Sequence, residues 1–315
     1  MPRTTPRSRA AVLVSLLVSL LLALTACGGS SSGDDKAASG SSSSSAYPVT
    51  VTGDNGKLTI DKQPEKIVSM SATATEMLFA IDAGDQVKAV DSTSNYPKGV
   101  PTTDLSSFTP NAEAIVKYDP DLVVLSDDLN GIVKSLDALK VPTLLLGAAK
   151  TLDDTYAQLD TLGEATGHTA QADHVVADMQ KRIKAAVASV PDGAKGRKVY
   201  HELDPTFYSA ASSTFIGSIY SMFGLKNIAD SAPDPAGGYP QLSAEYIVGQ
   251  APDLIVLADT KCCQQSAETL AQRPAFGTIP AVANGKVLAE DDDIASRWGP
   301  RVADFAASVA KTLKG

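Results

Sequence analysis

One pattern of apolar and polar positions occurs twice in the chain. Residues 111–125 read NAEAIVKYDPDLVVL and residues 243–257 read SAEYIVGQAPDLIVL, so the apolar, proline and acidic positions share one register. Each copy predicts a short helix capped by the side chain of Asn111 or Ser243. A Pro-Asp turn then leads into a strand, whose unbroken apolar run is typical of a strand covered on both faces of a parallel sheet.

The duplication extends upstream of both copies. Each half has the same order there, namely a strand, a polar loop, an amphipathic helix and a glycine that ends the helix in the left-handed conformation. Alternating strands and helices predict an α/β layer with a parallel sheet in each half. We expect the two strands to begin at Lys66 and Lys198, and the two helices to span about 75–83 and 214–223, ahead of Gly84 and Gly224.

Between the two halves, residues 152–166 and 170–190 predict helices. Apolar residues recur at helical spacing in the second of these segments. About twenty helical residues extend ~30 Å, which suits a stiff rod between two lobes. After the second half we expect a strand over 286–289, a loop to Trp298 and a final helix with Pro300 at its first position.

These elements predict an α/β protein with two lobes of mostly parallel sheet joined by a long rigid helix. We place the N-terminal lobe at 47–150, the linking helices at 151–191 and the C-terminal lobe at 192–315. Two open sheets that face each other leave a crevice at the carboxyl ends of their strands, where such folds bind ligands.

The first residues predict export from the cytoplasm. Three arginines precede an apolar run over residues 10–24, which is typical of a secretory signal and short for a membrane span. Small residues then lead to Cys27, and this pattern resembles the lipobox of bacterial lipoproteins, in which the cysteine is acylated and becomes the new N-terminus. Residues 28–46 contain only Gly, Ser, Asp, Lys and Ala, which predicts a flexible linker. We therefore expect a signal peptide over 1–26, a lipidated Cys27 with a linker over 27–46, and a location on the outer face of the cell membrane.

The charge of the chain restricts its partners. The chain has 27 basic and 36 acidic side chains, and removal of residues 1–26 takes away three arginines and no acid, so the mature chain has a formal charge of −12. An acidic protein of this kind is not expected to bind nucleic acid or anionic lipid by charge. The lipid is therefore the expected attachment to the membrane.

Short motifs along nearly the whole chain after the linker carry a family resemblance. They are IVSMS at 67–71, TEMLFA at 75–80, NYP at 95–97, both repeat copies, PQ at 240–241 and ASRWGPR at 295–301. Together they resemble the cobalamin- and ferric-siderophore-binding receptors of ABC importers. The resemblance implies the class III arrangement, with two lobes on one rigid helix and small opening motions, and it implies a permease dimer as the partner.

In this family, one glutamate on each lobe docks into an arginine pocket of the permease, and Glu113 and Glu245 match those positions. Both occupy the first turn of equivalent predicted helices. The alternative is that each carboxylate only stabilises its helix N-terminus, by ~0.3–1 kcal/mol, and the two effects can coexist.

Aromatic residues in loops that follow strands are candidates for the crevice wall. A flat, partly apolar ligand would give such side chains a surface to stack on, although Phe108 or Phe207 could instead cover a lobe core. In the cobalamin-binding members of the family, Tyr96 and Tyr239 match aromatic contacts to the corrin. The candidates are Tyr96, Phe108, Phe207, Tyr208, Tyr239 and Trp298.

The number of arginines expected in the crevice distinguishes an anionic ligand from a neutral one. Arg297 lies in the loop after the last strand, where it could pair with a carboxylate or phosphate. Anionic siderophores imply several arginines in the crevice of this family, and Arg301 is expected inside the final helix. We therefore expect a corrinoid such as cobalamin, with a ferric siderophore or haem as alternatives.

Three further features leave alternatives open. We expect His201 either to face the crevice, where it could ligate cobalt or haem iron with Tyr208 or Tyr239, or to be a hydrogen-bonded structural residue. The adjacent Cys262 and Cys263 could form a vicinal disulfide, stay as thiols for a metal centre, or have no role. Three scattered histidines do not predict a zinc site, and the acids at 291–293 predict a solvated loop.

The sequence favours a binding protein over an enzyme. It lacks a Gly-x-Ser-x-Gly elbow, a phosphate-binding glycine loop and a His-Glu-x-x-His motif. We expect a monomer that has no cofactor or metal site of its own and whose partners are a small molecule, a permease dimer and the membrane, but not nucleic acid. The alternative from another class is an extracytoplasmic enzyme that uses residues 200–202 as acid and base.

Overall fold

The computed structural model describes residues 47–232 and 236–314. The first part of this range forms a small hairpin and an α/β lobe. The hairpin consists of β1 (Val49–Gly53) and β2 (Gly56–Ile60), and the lobe has strands β3 (Ile67–Met70), β4 (Val87–Val90), β5 (Leu122–Leu125) and β6 (Thr143–Leu145) with helices α1 (Ala72–Ala80), α2 (Ala112–Val116) and α3 (Ile132–Ala138).

Two long helices, α4 (Leu152–Thr166) and α5 (Thr169–Ala188), lead to the second lobe. Its strands are short and its helices vary in length. The strands are β7 (Lys198–Glu202), β8 (Lys226–Asn227), β9 (Leu254–Leu257) and β10 (Val287–Ala289), and the helices are α6 (Phe215–Met222), α7 (Ala244–Gln250), α8 (Thr260–Cys263), α9 (Ala267–Ala271), α10 (Pro280–Ala283), α11 (Asp292–Ser296) and α12 (Val302–Lys314).

The two sheets are parallel and have the same strand order. The first runs β4-β3-β5-β6 and the second β8-β7-β9-β10, so each strand of one lobe has a counterpart in the other. The duplication seen in the sequence is therefore a duplication of the fold. The predicted class is confirmed, because two α/β lobes with parallel sheets are joined by a long helix.

In both lobes, the aspartate of the Pro-Asp turn forms hydrogen bonds to the start of the neighbouring strand. The Asp121 carboxylate accepts hydrogen bonds from the backbone N–H groups of Glu65 and Lys66, each over 2.9 Å, just before β3 begins. At the equivalent place, the Asp253 carboxylate accepts from the N–H of Lys198 over 2.8 Å. These bonds set the start of the central strands, so the repeated acid fixes the strand register in each lobe.

The caps predicted for the repeat helices are present. The Asn111 side chain accepts from the N–H of Ala114 over 2.8 Å, and the Ser243 hydroxyl accepts from the N–H of Tyr246 over 3.1 Å. Each bond satisfies an N–H group that has no partner within its helix. Helices α2 and α7 therefore begin at defined residues.

The linking helices pack against each other and against the last helix. A Cβ atom at Gly163 of α4 would lie 2.6 Å from that of Ala172 in α5, so only glycine allows the helices to approach this closely. Helix α5 also packs against α12, where Arg182 forms an ion pair with Asp304.

Within the described ranges, no helix is long and apolar enough to cross a bilayer.

A buried charge cluster joins the lobes directly. The carboxylate of Glu76, in α1 of the first lobe, accepts hydrogen bonds from Arg297 over 2.9 Å and from Arg301 over 2.6 and 2.9 Å. The Glu76 side chain is 1% exposed, and the two arginine side chains are 13% and 12% exposed. Arg297 also donates to the carbonyl oxygen of Thr93 in the first lobe over 3.0 Å. The segment before α12 is thereby attached to the first lobe.

Two predicted helix boundaries are wrong. Helix α1 ends at Ala80, and Asp82, not Gly84, adopts the left-handed conformation, with φ of 63°. Gly224 does adopt this conformation, as predicted, with φ of 70°. The final helix begins at Val302 because a turn over 299–302, closed by a 3.0 Å bond from the Val302 N–H to the Gly299 carbonyl, precedes it.

The charge cluster leads to a prediction about stability. Glu76→Gln leaves two largely buried guanidinium groups opposite a neutral amide, and loss of one partner of a buried ion pair typically costs about 3–5 kcal/mol. We expect a loss of that size in the free energy of unfolding, measured by urea denaturation. Asp119→Asn is the matched control, because it removes the partner of Lys66 in an exposed ion pair, and we expect no measurable loss. Equal stability of the two variants would contradict the proposed importance of the cluster.

Candidate functional site

The loops at the carboxyl ends of the two parallel sheets are the candidate site, because open α/β sheets bind ligands there. Four aromatic side chains in these loops are exposed, although aromatic residues are normally covered. Phe108 is 71% exposed, and Tyr96, Tyr208 and Tyr239 are between 40% and 44% exposed. An exposed set of this kind, in loops on both lobes, is a candidate surface for a flat ligand.

A ribbon of backbone hydrogen bonds places Tyr208 and Tyr239 on one face. Residues 207–211 pair with residues 238–242, for example through bonds from the Ser209 N–H to the Pro240 carbonyl over 2.9 Å and from the Leu242 N–H to the Phe207 carbonyl over 3.0 Å. Tyr208 stands opposite Gln241 in this antiparallel pairing. Since side chains alternate along a strand, Tyr239 lies on the same face as Tyr208.

The loop of the first lobe that carries Tyr96 and Phe108 is held by a buried carboxylate. Asp91 follows β4 and accepts hydrogen bonds from the hydroxyl groups of Thr93, Ser94 and Ser107, over 2.6, 2.5 and 2.8 Å. These bonds fix both ends of the loop. The two aromatic residues are therefore presented from an ordered backbone.

Phe108 and Tyr239 lie at similar, but not identical, distances ahead of the two copies of the repeat. Phe108 precedes Glu113 by five residues, and Tyr239 precedes Glu245 by six. Each lobe therefore offers an exposed aromatic residue in the loop that leads into its repeat helix. The sequence alone placed both residues in loops but did not relate them to each other.

The other predicted aromatic residues are partly covered. The Trp298 indole N–H donates to Gln158 of α4 over 3.0 Å, and the ring packs against the large core. Phe207 stacks on Phe276 with the ring centroids 6.0 Å apart, and the guanidinium of Arg273 lies over it. Phe207 therefore covers the core of the second lobe, which was one of its two predicted roles.

Arg297 does not present a free guanidinium to the crevice. Besides Glu76 and the Thr93 carbonyl, it contacts Asp293 over 2.6 Å and donates to the Asn95 side chain over 3.1 Å. Arg301 is also occupied, since its guanidinium lies 4.2 Å from the centre of the Tyr96 ring in addition to its bonds with Glu76. Carboxylates of the protein itself therefore hold Arg297 in this structure, and its contact with a ligand stays a prediction.

His201 faces the interior of the second lobe. Strand β7 is covered on both faces, so the side chain is fully buried, and its Nδ1 lies 2.6 Å from the Tyr220 hydroxyl oxygen. Burial lowers the pKa of His201 to about 3, so the ring is neutral at ordinary pH. In this structure His201 therefore occupies the hydrogen-bonded interior position that was one of its two predicted roles, and a role in binding the ligand stays a prediction.

A second buried charge cluster lies next to His201 in the sequence. The Glu202 carboxylate accepts two hydrogen bonds from Arg273, over 2.6 and 2.7 Å, and one from the Tyr200 hydroxyl over 3.0 Å. Burial and the nearby Glu202 carboxylate raise the pKa of Asp259 to about 7. Tyr200, His201 and Glu202 are all buried in this structure.

The three acids at 291–293 form structural contacts, which corrects the prediction of a solvated loop. Asp291 caps α11, and Asp292 accepts hydrogen bonds from three donors in α8. Asp293 contacts Arg297, Lys261 and Asn95. The adjacent Cys262 and Cys263 form a disulfide in this structure, which is one of the alternatives that the sequence left open.

The two glutamates of the repeat are both exposed in the first turn of their helices. Within the described ranges, neither Glu113 nor Glu245 takes part in an ion pair. Their carboxylates are therefore accessible to a partner on each lobe. Cys27 lies outside the described residues.

The fold and the paired lobes agree with the comparison to known proteins. The chain belongs to the periplasmic binding protein family, whose model matches residues 67–294, and this is a family of extracytoplasmic receptors of ABC importers. A relative from Bacillus subtilis, the uncharacterized ABC transporter substrate-binding lipoprotein YvrC, is 28% identical over 85% of this chain and 86% of its own length. A cobalamin-binding protein from Halobacterium salinarum is 31% identical over 85% of this chain and 74% of its own length.

Solved structures of related fold include binders of different ligands. The vitamin B12 binding protein BtuF of Vibrio cholerae aligns with a TM-score of 0.65 and 22% identity, over 80% of this chain and 98% of that one. The heme binding protein HutB of the same organism aligns with a TM-score of 0.71 and 22% identity, over 80% and 100%. At this identity the likeness establishes the shared fold. The proteins named in these comparisons are binding proteins, not enzymes.

Proposed function

We propose that this protein captures a corrinoid such as cobalamin in the crevice between its lobes and delivers it to the permease of an ABC importer. The observation that carries the proposal is the combination of exposed aromatic side chains and occupied arginines at the crevice. Phe108, Tyr208 and Tyr239 offer flat apolar surface, while Arg297 and Arg301 are paired with Glu76. Such a surface suits a bulky ligand of low net charge and gives a strongly anionic one little to bind.

The named relatives support a macrocyclic ligand. The Halobacterium salinarum relative is a cobalamin-binding protein, and the structural neighbours include a vitamin B12 binder and haem binders. Any cobalt or iron would then arrive as part of the cargo, and the protein itself would hold no cofactor. We propose that it works as a monomer.

Haem is the second candidate ligand. Tyr208 and Tyr239 are exposed tyrosines on one face of the second lobe, although the Tyr239 side chain is hydrogen-bonded to Thr214, and a phenolate oxygen is an established axial ligand of haem iron. A ferric siderophore has less support, because the crevice arginines are occupied. The three ligand classes differ in charge and in absorption spectrum, so one set of titrations separates them.

The ligand proposal predicts tight, salt-insensitive binding of cobalamin. We expect a sub-micromolar Kd, where micromolar affinity already corresponds to ~8 kcal/mol, and nearly equal values at low and high ionic strength, because few charges would be screened. Tyr239→Ala should weaken binding at least tenfold, since it removes a stacking surface. Tyr118→Ala is the matched control, because Tyr118 is an exposed tyrosine in the turn before β5, at the opposite end of the strands.

The same titrations with haem and a ferric siderophore give the contradicting outcomes. Tight haem binding with a Soret shift that Tyr208→Phe or Tyr239→Phe abolishes would assign the protein to haem. Salt-sensitive binding of a siderophore, without binding of cobalamin, would show that an anion site exists despite the occupied arginines.

Permease docking is proposed to depend on Glu113 and Glu245. Each lobe exposes one of these carboxylates at an equivalent helix start, which suits a partner with two equivalent subunits. We expect the double variant Glu113→Ala/Glu245→Ala to lose at least tenfold in apparent affinity for the permease, read as stimulation of importer ATPase in liposomes. Its affinity for the ligand should stay within twofold of the original.

Asp137→Ala/Glu164→Ala provides the control for docking. It removes two exposed carboxylates of α3 and α4 and the same amount of charge. If this variant loses as much ATPase stimulation as the Glu113/Glu245 variant, net charge and not the repeat position determines docking. If neither variant loses stimulation, the two glutamates have no role in docking. A large loss of ligand affinity in the glutamate variant would place these residues in the crevice instead.

Membrane attachment is proposed to depend on a lipid on Cys27. The apolar run, the small residues before Cys27 and the polar linker after it carry this proposal. We expect the mature protein to enter the detergent phase on phase separation, and Cys27→Ala to remain in the aqueous phase or unprocessed. The double variant Cys262→Ser/Cys263→Ser, which alters the other two cysteines, should partition like the original. Unchanged processing and detergent partitioning of Cys27→Ala would refute the anchor.

A further inference from the structure

The disulfide between Cys262 and Cys263 lies at the same edge of the second lobe as the exposed tyrosines. It is carried by α8, which follows β9 at the carboxyl end of the sheet. Cys262 is exposed and Cys263 is partly exposed. Since β7 precedes the Tyr208 loop and lies next to β9, the disulfide and this loop start from neighbouring strands.

Helix α8 has only four residues, yet it is held firmly. The Asp292 carboxylate accepts hydrogen bonds from the Thr260 hydroxyl and from the backbone N–H groups of Lys261 and Cys262, each over 2.9 Å. The Thr260 hydroxyl also donates to the Glu290 carbonyl over 2.7 Å. These bonds fix the position of the disulfide relative to α11.

One carboxylate oxygen connects the disulfide helix to the other lobe. Oδ2 of Asp293 accepts a hydrogen bond from the Lys261 ammonium over 2.9 Å and another from the Asn95 amide over 2.9 Å. Lys261 directly precedes Cys262, and Asn95 directly precedes Tyr96. The residues before Cys262 on one lobe and before Tyr96 on the other therefore share one carboxylate where the lobes meet.

The backbone beneath the disulfide is tied to buried groups. The Asp259 carbonyl accepts hydrogen bonds from the N–H groups of Cys263 and Gln265, each over 3.3 Å. The Gln265 side chain in turn accepts from Arg273, which is paired with the buried Glu202. The inner side of α8 is thus occupied by protein, and the exposed side carries the disulfide.

From this placement we infer that the Cys262–Cys263 disulfide is part of the ligand-contacting surface of the crevice, where it packs against the apolar part of a macrocycle. A disulfide has no hydrogen to donate, and its sulfur atoms are polarisable, so it suits an apolar or aromatic surface better than a charged one. The inference rests on the proposed function and adds a contact on the second lobe that complements the aromatic residues. Reduction replaces the S–S bond with two separate thiols, which changes the shape of this surface.

The test compares oxidised and reduced protein with one defined probe, cyanocobalamin. The full chain in detergent is treated with dithiothreitol, the reductant is removed without oxygen, and the thiols are counted by alkylation and mass spectrometry. We expect reduction to weaken cyanocobalamin binding at least tenfold. Cys262→Ser/Cys263→Ser should bind as weakly as the reduced protein and should no longer respond to the reductant, which controls for other effects of the treatment.

A second measurement separates a direct contact from a structural role. If the ligand covers the disulfide, saturating cyanocobalamin should slow its reduction by dithiothreitol at least tenfold, with a dependence on ligand concentration that follows the Kd. An unchanged reduction rate would overturn the inference even if the Ser variant binds weakly. Equal affinity of the oxidised, reduced and Ser proteins would also overturn it while leaving the proposed function intact. Failure of the oxidised protein to bind any macrocycle would instead refute the proposed function, and this inference with it.

Discussion

The architecture depends on burying one carboxylate between two guanidinium groups. Glu76 belongs to the first lobe, whereas Arg297 and Arg301 precede the last helix, and all three side chains are largely withdrawn from water. A charge in that position is tolerated only while its partners stay in place, because the cost of leaving it unpaired exceeds that of most single contacts. The cluster therefore opposes wide separation of the lobes, and the rigid helix α5 has the same effect. Ligand capture must proceed with a crevice that changes little in width.

The same cluster shapes the chemistry of the crevice. By occupying both arginines, Glu76 removes the groups that would otherwise attract a carboxylate-rich ligand, and it leaves aromatic rings as the main exposed surface. Arg301 additionally lies over the Tyr96 ring and supports its position. Under the proposed function, a structural ion pair would thus contribute to ligand selectivity without touching the ligand. The repeat serves both lobes in a similar way, since each copy supplies the carboxylate that anchors a strand and one exposed glutamate.

Sequence reasoning was reliable where local pattern determines structure. The repeat predicted the strands and the helix caps, because apolar runs, capping residues and Pro-Asp turns act over a few neighbouring residues. It failed where distant residues meet. Nothing near Arg297 indicates its partner Glu76, and nothing near Glu202 indicates Arg273. The sequence left two positions open for His201, because a strand covered on both faces buries every side chain, whichever way it points.

The separation of Glu76 from its partners along the chain has a consequence for how the protein folds. The cluster joins residues 221 and 225 positions apart, whereas the repeat helices, turns and strands close over short distances. Closing a long loop reduces conformational entropy before the contacts between its ends can form and offset that loss. Contacts between distant residues therefore tend to form late. Each lobe can assemble from its own local units, and the final segment then has to return across both of them. We expect the last stage of folding to be the arrival of the C-terminal segment on the first lobe. A chain that has not yet received this segment would expose an unpaired Glu76 and have no complete crevice.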